Sequence, residues 1–255
     1  MLIAGTQEFM LFCLILMRMT GFIFMNPITG RRDLPTIAKT GMALVFALLI
    51  ASTETANVPQ IETSIEFGIL LLKEFAIGYL LGTVMQLFVF VCTYAGSIID
   101  YQMALGMASI YDAQSGIQVA LTGNILNVYL MLLFFAVDGH LALFDILITS
   151  SEIVPYAQVA LGPEAAQAVI TIFIDCVILA VKIALPIIGT VLLLDIGVGV
   201  LMKIIPQINL FILDIPIKIL MGFGMLMFLT SPIGDYLGNL ITDMLKALQH
   251  VLTTI

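Results

Sequence analysis

Apolar blocks of roughly span length, separated by short polar punctuation, set the organisation of this chain. The first block runs from about Phe9 to Ile28 and ends at the turn Thr29-Gly30-Arg31-Arg32-Asp33-Leu34-Pro35. A second, about Thr36 to Ala51, leads into the acidic stretch Ser52 to Glu66. The third, Phe75 to Ile99, holds 25 residues without a charge. Another uncharged run, Ala113 to Val137, opens with the polar residues Gln114, Ser115, Gln118, Thr122 and Asn124, so its helix is predicted from near Val119 through Leu147. After a loop with Pro155, Gly162 and Pro163, a helix is predicted from about Glu164 to Ile205, with interruptions at Pro186, Gly197 and Gly199. Pro206 ends it. Asp214-Ile215-Pro216 reads as the N-cap and first-turn proline of a last helix to about His250, softened at Ser231-Pro232. A bilayer crossing takes about 20 apolar residues, which gives roughly six spans.

Composition sharpens this into a class. The chain has 255 residues, 61% hydrophobic and only 10% charged, with a mean hydropathy of +1.16. An average soluble domain is about 45–50% apolar and about 25% charged, so a soluble enzyme and a disordered chain are both excluded. The blocks lack the short alternation of a membrane β-barrel. The expected class is a polytopic all-α membrane protein, because helices satisfy their own backbone in lipid. Net charge is -8, with no basic cluster of the kind nucleic acid needs. Cys13, Cys92 and Cys176 are far apart and flanked by apolar residues, which fits packing rather than a disulfide or metal. MLIAGTQEFM lacks a positive n-region, so a cleaved signal peptide is not expected. Arg31, Arg32 and Lys39 make the 29–39 loop the cytoplasmic candidate and place the N-terminus outside.

The charges that interrupt the apolar blocks carry more information. Arg18, Asp100, Asp138, Asp145, Asp175, Lys182, Asp195, Lys203 and Lys218 lie within or beside them. Each would oppose insertion by about 2.5–3.5 kcal/mol at a helix centre facing lipid, so they must face protein or water. Asp214 and Lys218 are spaced i,i+4, acid first, as a helical ion pair prefers. Asp175 and Lys182 lie two turns apart on one face and could flank a shared partner. Lys203 stands where a helix C-terminus favours a cation. Asp138, His140 and Asp145 have no basic neighbour in sequence, so their partners should come from elsewhere, another chain included. Two readings compete: buried pairs and subunit contacts that fix packing, or an Asp138–His140 proton or ion relay. Gly78/Gly82 and Gly234/Gly238 form G-x-x-x-G steps that allow close helix approach. Ionised groups in such greasy helices point to neighbouring polypeptides that wrap them.

Several segments, in order, resemble one family. They are Arg18 with Gly21, Pro27, Arg31 and Pro35; Lys73-Glu74 with Gly78 and Gly82; and Gly96 through Gln102 with Gly106. Gln114-Ser115-Gly116, Gly139-His140 and Ser150 with Pro155 follow, then Pro206-Gln207-Ile208-Asn209-Leu210-Phe211 and Pro216-Ile217-Lys218-Ile219. Over about residues 10 to 250 the chain resembles the FliR family, the R-type export-gate subunit of flagellar and type III secretion machines. It departs from that pattern at Ala113, Lys203 and Asp214, which bears on the loop near Asp112.

The resemblance implies an all-helical, non-enzymatic subunit of a helical hetero-oligomeric gate in the bacterial inner membrane, at the flagellar basal body. It implies no cofactor. Implied partners are P-type and Q-type gate subunits (FliP-like and FliQ-like), FlhB-like and FlhA-like export components, unfolded export substrates and membrane lipid. Residues 1–151 resemble the P-type subunit and 152–255 the Q-type. The family's plug loop corresponds by position to 106–122, with Gly106, Met107, Ile110, Tyr111, Asp112, Gly116, Ile117 and Val119. Read from its residues, this segment is too polar and glycine-bearing for a stable span, yet rimmed by apolar side chains that can seal a constriction by excluding water. The other residues singled out, Arg18, Glu74, Gly78, Gly82, Asp138, His140, Asp175, Lys182, Lys203, Pro206, Gln207, Asn209, Phe211, Asp214, Pro216 and Lys218, are expected to hold packing and interfaces. The equivalent subunit of a virulence secretion system and, from another class, a secondary transporter are the alternative readings.

Overall fold

The computed structural model describes residues 2–31, 34–53, 63–105, 120–158, 162–205 and 210–255. Among them every regular element is helical. In chain order these are α1 (Leu2–Met25), α2 (Thr36–Thr53), α3 (Ser64–Gln102), α4 (Leu121–Ala136), α5 (Gly139–Ile153), α6 (Pro163–Ile204), α7 (Leu210–Phe228) and α8 (Thr230–Thr254). Four helices are long and apolar enough to cross a membrane alone, and up to six spans result if the broken pairs α4/α5 and α7/α8 each count as one. The sequence expectation of an all-α polytopic protein holds.

Three boundaries differ from those expected. The helix predicted from Val119 through Leu147 breaks at Val137–Asp138, where Asp138 takes a left-handed φ of 55°. Aspartate tolerates that conformation better than most residues. α6 runs unbroken through Pro186, Gly197 and Gly199. Proline removes one backbone bond, but apolar surroundings offer the chain no water to bond instead, and the Thr190 hydroxyl adds a bond to the Pro186 carbonyl at 2.8 Å. Asp214 is not an N-cap: α7 begins four residues earlier, at Leu210, so Asp214 and Pro216 lie within it.

Two compact units make up the chain. Unit 1 comprises Met1–Phe88, Asp138–Phe173 and Thr242–Ile255; unit 2 comprises Val89–Val137 and Ile174–Ile241. In unit 1, α1 packs on α2 and on the first half of α3, burying Leu14, Ile15, Met19, Ile23, Ile77 and Leu81. The Lys39 ammonium, one of the three basic groups of the 29–39 loop, bonds the Gly30 carbonyl at 2.9 Å and closes the turn after α1. In unit 2, Ile99 and Met103 of α3 pack with Ala184, Ile187 and Val191 of α6.

Glycine decides how closely α1 and α3 approach. A Cβ on Gly78 would strike the backbone of Arg18 and lie 2.8 Å from the Phe22 nitrogen. One on Gly21 would lie 2.8 Å from the Tyr79 nitrogen, and one on Gly82 would lie 2.8 Å from the Met25 Cβ. The first G-x-x-x-G step therefore does what its spacing predicts. The second does not. A Cβ on Gly238 would meet nothing within 4 Å, and Gly234 faces only the Tyr129 ring.

Candidate functional site

Close backbone contact between α1 and α3 brings Arg18 against Glu74, and both side chains are fully buried. The Arg18 Nε donates to Glu74 Oε2 at 2.7 Å. Its Nη1 reaches the Ser150 hydroxyl of α5 at 3.3 Å, and its Nη2 donates to the Val154 carbonyl at 3.0 Å. The guanidinium carbon lies 4.2 Å above the Tyr156 ring, the stacked position that a delocalised cation favours. Glu74 Oε1 in turn accepts the Ala157 amide at 3.1 Å. Ala157 has a φ of 67°, a left-handed conformation an alanine adopts only when its surroundings hold it there. This clasp thus joins α1, α3, α5 and the 154–157 turn through one ion pair. Its chemistry is structural: a planar cation whose three nitrogens each donate, and a carboxylate whose two oxygens each accept, one from Arg18 and one from Ala157.

A second polar contact pins two helices in unit 2. The Asp100 carboxylate, near the end of α3, accepts the Thr122 amide at 3.2 and 3.3 Å and the Thr122 hydroxyl. It thereby caps the first turn of α4 from another helix, satisfying an amide that no intrahelical carbonyl can reach. A Cβ on Gly96 would strike Gly123, and Asn127 donates to the Thr93 hydroxyl at 2.8 Å. Replacing Asp100 with alanine is expected to lower stability by about 1–2 kcal/mol, read as a lower thermal midpoint in detergent. Asp100→Asn, which keeps one acceptor, should lose less. An Asp100→Ala protein melting with the parent would refute the capping role.

Lys218 of α7 forms the expected pair with Asp214 at 2.9 Å and, unanticipated, a shorter one with Asp195 of α6 at 2.6 Å. Arg18, Asp195 and Lys218 are thus neutralised by this chain's own atoms, which corrects the expectation that neighbouring polypeptides must wrap each of these charges. The remainder are placed differently. Asp138, Asp145, Asp175, Lys182 and Lys203 are exposed, and among the described residues none of them forms an ion pair. Lys203 does sit in the last turn of α6, where the helix dipole favours it. The shared partner between Asp175 and Lys182 is not found within the described residues. His140 is half-buried in the first turn of α5, two residues after Asp138 in sequence.

Gly106, Met107, Ile110, Tyr111, Asp112, Gly116, Ile117 and Val119 lie outside the described residues, as do Pro206, Gln207 and Asn209. Phe211 lies within α7. Sequence reasoning missed Tyr156 and Ala157; the only local signal was an aromatic residue directly after Pro155 at the end of an apolar helix.

Against known families, residues 9–244 match the model for bacterial export proteins, family 1. A flagellar biosynthetic protein FliR of Bacillus subtilis (strain 168) is 27% identical over 247 residues, 96% of this chain and 95% of that protein. That of Pectobacterium carotovorum subsp. carotovorum is 30% identical over 239 residues, 89% of this chain and 88% of its own length. The Yop proteins translocation protein T of Yersinia pestis is 27% identical over 212 residues, 81% of this chain and 80% of that one.

Proposed function

Because the chain belongs to the bacterial export proteins, family 1, as a multi-pass membrane component of the export apparatus and not an enzyme, we propose that it is the gating R-type subunit of a flagellar export gate. In this reading it assembles with P-type and Q-type subunits and with FlhB-like and FlhA-like components. Together they pass unfolded substrates across the inner membrane. The flagellar assignment follows the names and the coverage of its relatives from Bacillus and Pectobacterium.

One observation carries the assembly. Within unit 2 the outward face of α6 is largely apolar from Ile174 to Ile204, interrupted by the exposed charges Asp175, Lys182 and Lys203, with Leu193 72% and Ile204 71% exposed. Those 31 residues extend about 46 Å at 1.5 Å per residue. The hydrocarbon core is about 30 Å thick. Fitting that stripe into lipid would take a tilt of about 50°, beyond the range of about 0–40° seen for membrane helices. Water cannot cover the excess, because exposed apolar patches of this extent mark protein contacts. Protein partners of matching greasiness supply the cover, and Asp175, Lys182 and Lys203 on the same helix find their counter-charges there.

In the same reading residues 1–151 play the P-type part, residues 152–255 the Q-type part, and residues 106–122 form the plug. The roots of that segment support the plug, since Asp100–Thr122 and Gly96–Gly123 pin them. Apolar side chains there seal the resting pore by excluding water.

The test is deletion of Ser109–Gln118, followed by purification in mild detergent. The shortened protein should still co-purify with two small apolar membrane proteins, while cells producing it become permeable to small solutes. Normal assembly with unchanged permeability removes the plug. A solitary monomer or homodimer that a small solute stabilises would instead point to a secondary transporter.

A further inference from the structure

The last helix differs from every other long one in what it turns outward. On α8 the side chains that pack inward are Ile233, Leu237, Leu240 and Ile241 in unit 2, then Met244, Leu248 and Val251 in unit 1, all buried. Their spacing of three and four residues is that of a single helical stripe. The opposite face consists of Asp235, Asn239, Asp243, Lys246, Gln249 and His250, all exposed. From Thr230 to the C-terminus no large hydrophobic residue is exposed at all; Phe228, at 79%, is the last one. α6, by contrast, exposes such residues on nearly every turn.

We infer that α8 borders water along its whole outward face and does not cross the membrane as a lipid-facing span. Lipid contact would bring Asp235, Asp243 and Lys246 against hydrocarbon, where an ionised side chain strongly opposes insertion. No apolar side chain on that face would offset this. Burial against another subunit would need an equally polar partner stripe, whereas every other described helix of this chain presents apolar side chains outward. A solvated surface needs neither. The α7/α8 pair, which counts as one crossing by length and composition, therefore turns from the apolar phase to the aqueous one at Leu229. This inference does not depend on the export reading, since it follows from the helix's own faces.

Single cysteines placed at Asn239, Asp243, Lys246 and Gln249, with Cys13, Cys92 and Cys176 changed to serine or alanine, provide the test. Membranes containing the assembled complex are treated with a membrane-impermeant maleimide, in closed vesicles of each orientation. Leu193→Cys on α6 is the covered reference. A thiol in apolar surroundings keeps its proton, so its reactivity falls about tenfold for each unit its pKa rises. The four α8 positions should label at least about tenfold faster than Leu193→Cys, from one vesicle orientation or from both. One orientation places the face in one compartment, and both place it along a water-filled passage; either supports the inference. Labelling no faster than Leu193→Cys until detergent is added would overturn it. The four substitutions replace exposed polar groups, so the fold is spared. A nitroxide on the same cysteines gives a second readout, with greater accessibility to a water-soluble nickel chelate than to oxygen expected, and the reverse counting against it.

Discussion

Arg18→Ala is expected to reduce stability by about 3–5 kcal/mol, the range for removing one partner of a buried ion pair. The loss arises less from the missing attraction than from what is left behind. Glu74 would remain fully buried, retaining among the described residues the Ala157 amide alone as a partner, and the Ser150 hydroxyl and Val154 carbonyl would lose a donor. Folded domains are stable by only about 5–15 kcal/mol. The variant should therefore fall several-fold in membrane abundance and melt well below the parent in detergent. Glu74→Ala should be as severe. Arg18→Lys should recover little, because an ammonium cannot serve Glu74, Ser150 and Val154 at once or stack flat on Tyr156. The discriminating variant is the double one: Arg18→Met with Glu74→Leu removes both charges and fills their volume, and should restore most of the loss. If the single variants keep the parental abundance and melting temperature, the clasp does not hold unit 1 together.

Arg18 also shows where sequence reading stops. Composition and block length made the all-α membrane class plain, and the energy of a lone charge in hydrocarbon made it certain that Arg18 needs a partner. Nothing local says that the partner stands 56 positions away, because pairing in space leaves no trace in spacing along one chain. The i,i+4 pair Asp214–Lys218 was legible for the opposite reason, since one helix fixes both ends. The pairing of Asp195 with Lys218 was not legible, because Asp195 joins from another helix. The Asp214 N-cap reading failed because a cap is recognised by polarity before an apolar run. Here the apolar run extends to both sides, so the carboxylate serves Lys218 at 2.9 Å instead of the backbone. Pro186 misled in the same way: its power to break helices is measured in water, where freed backbone groups find other partners.

Glycine supplies the other large effect, and the contrast lies within one helix. Gly68→Ala and Gly78→Ala place the same methyl group on α3, and opposite outcomes are expected. A Cβ at Gly68 meets nothing within 4 Å, so alanine there should stabilise by up to about 1 kcal/mol through helix propensity alone. A Cβ at Gly78 strikes backbone atoms of Arg18 and Phe22, which cannot rotate out of the way as a flexible side chain would. α1 must move off α3, and overpacking of this kind destabilises by about 1–3 kcal/mol or more. The displaced backbone belongs to Arg18 itself, so the shift also draws the guanidinium away from Glu74, one helical turn from Gly78. Gly78→Ala should therefore approach Arg18→Ala in severity. The two losses should add to less than their sum, as expected for changes that disrupt one shared contact. Purified Gly68→Ala, Gly78→Ala, Arg18→Ala and the Gly78/Arg18 double variant, melted side by side in one detergent, provide the comparison. Equal melting temperatures for the first two would show that α1 and α3 are not packed backbone to backbone. Full additivity in the double variant would show that the glycine contact and the clasp are independent.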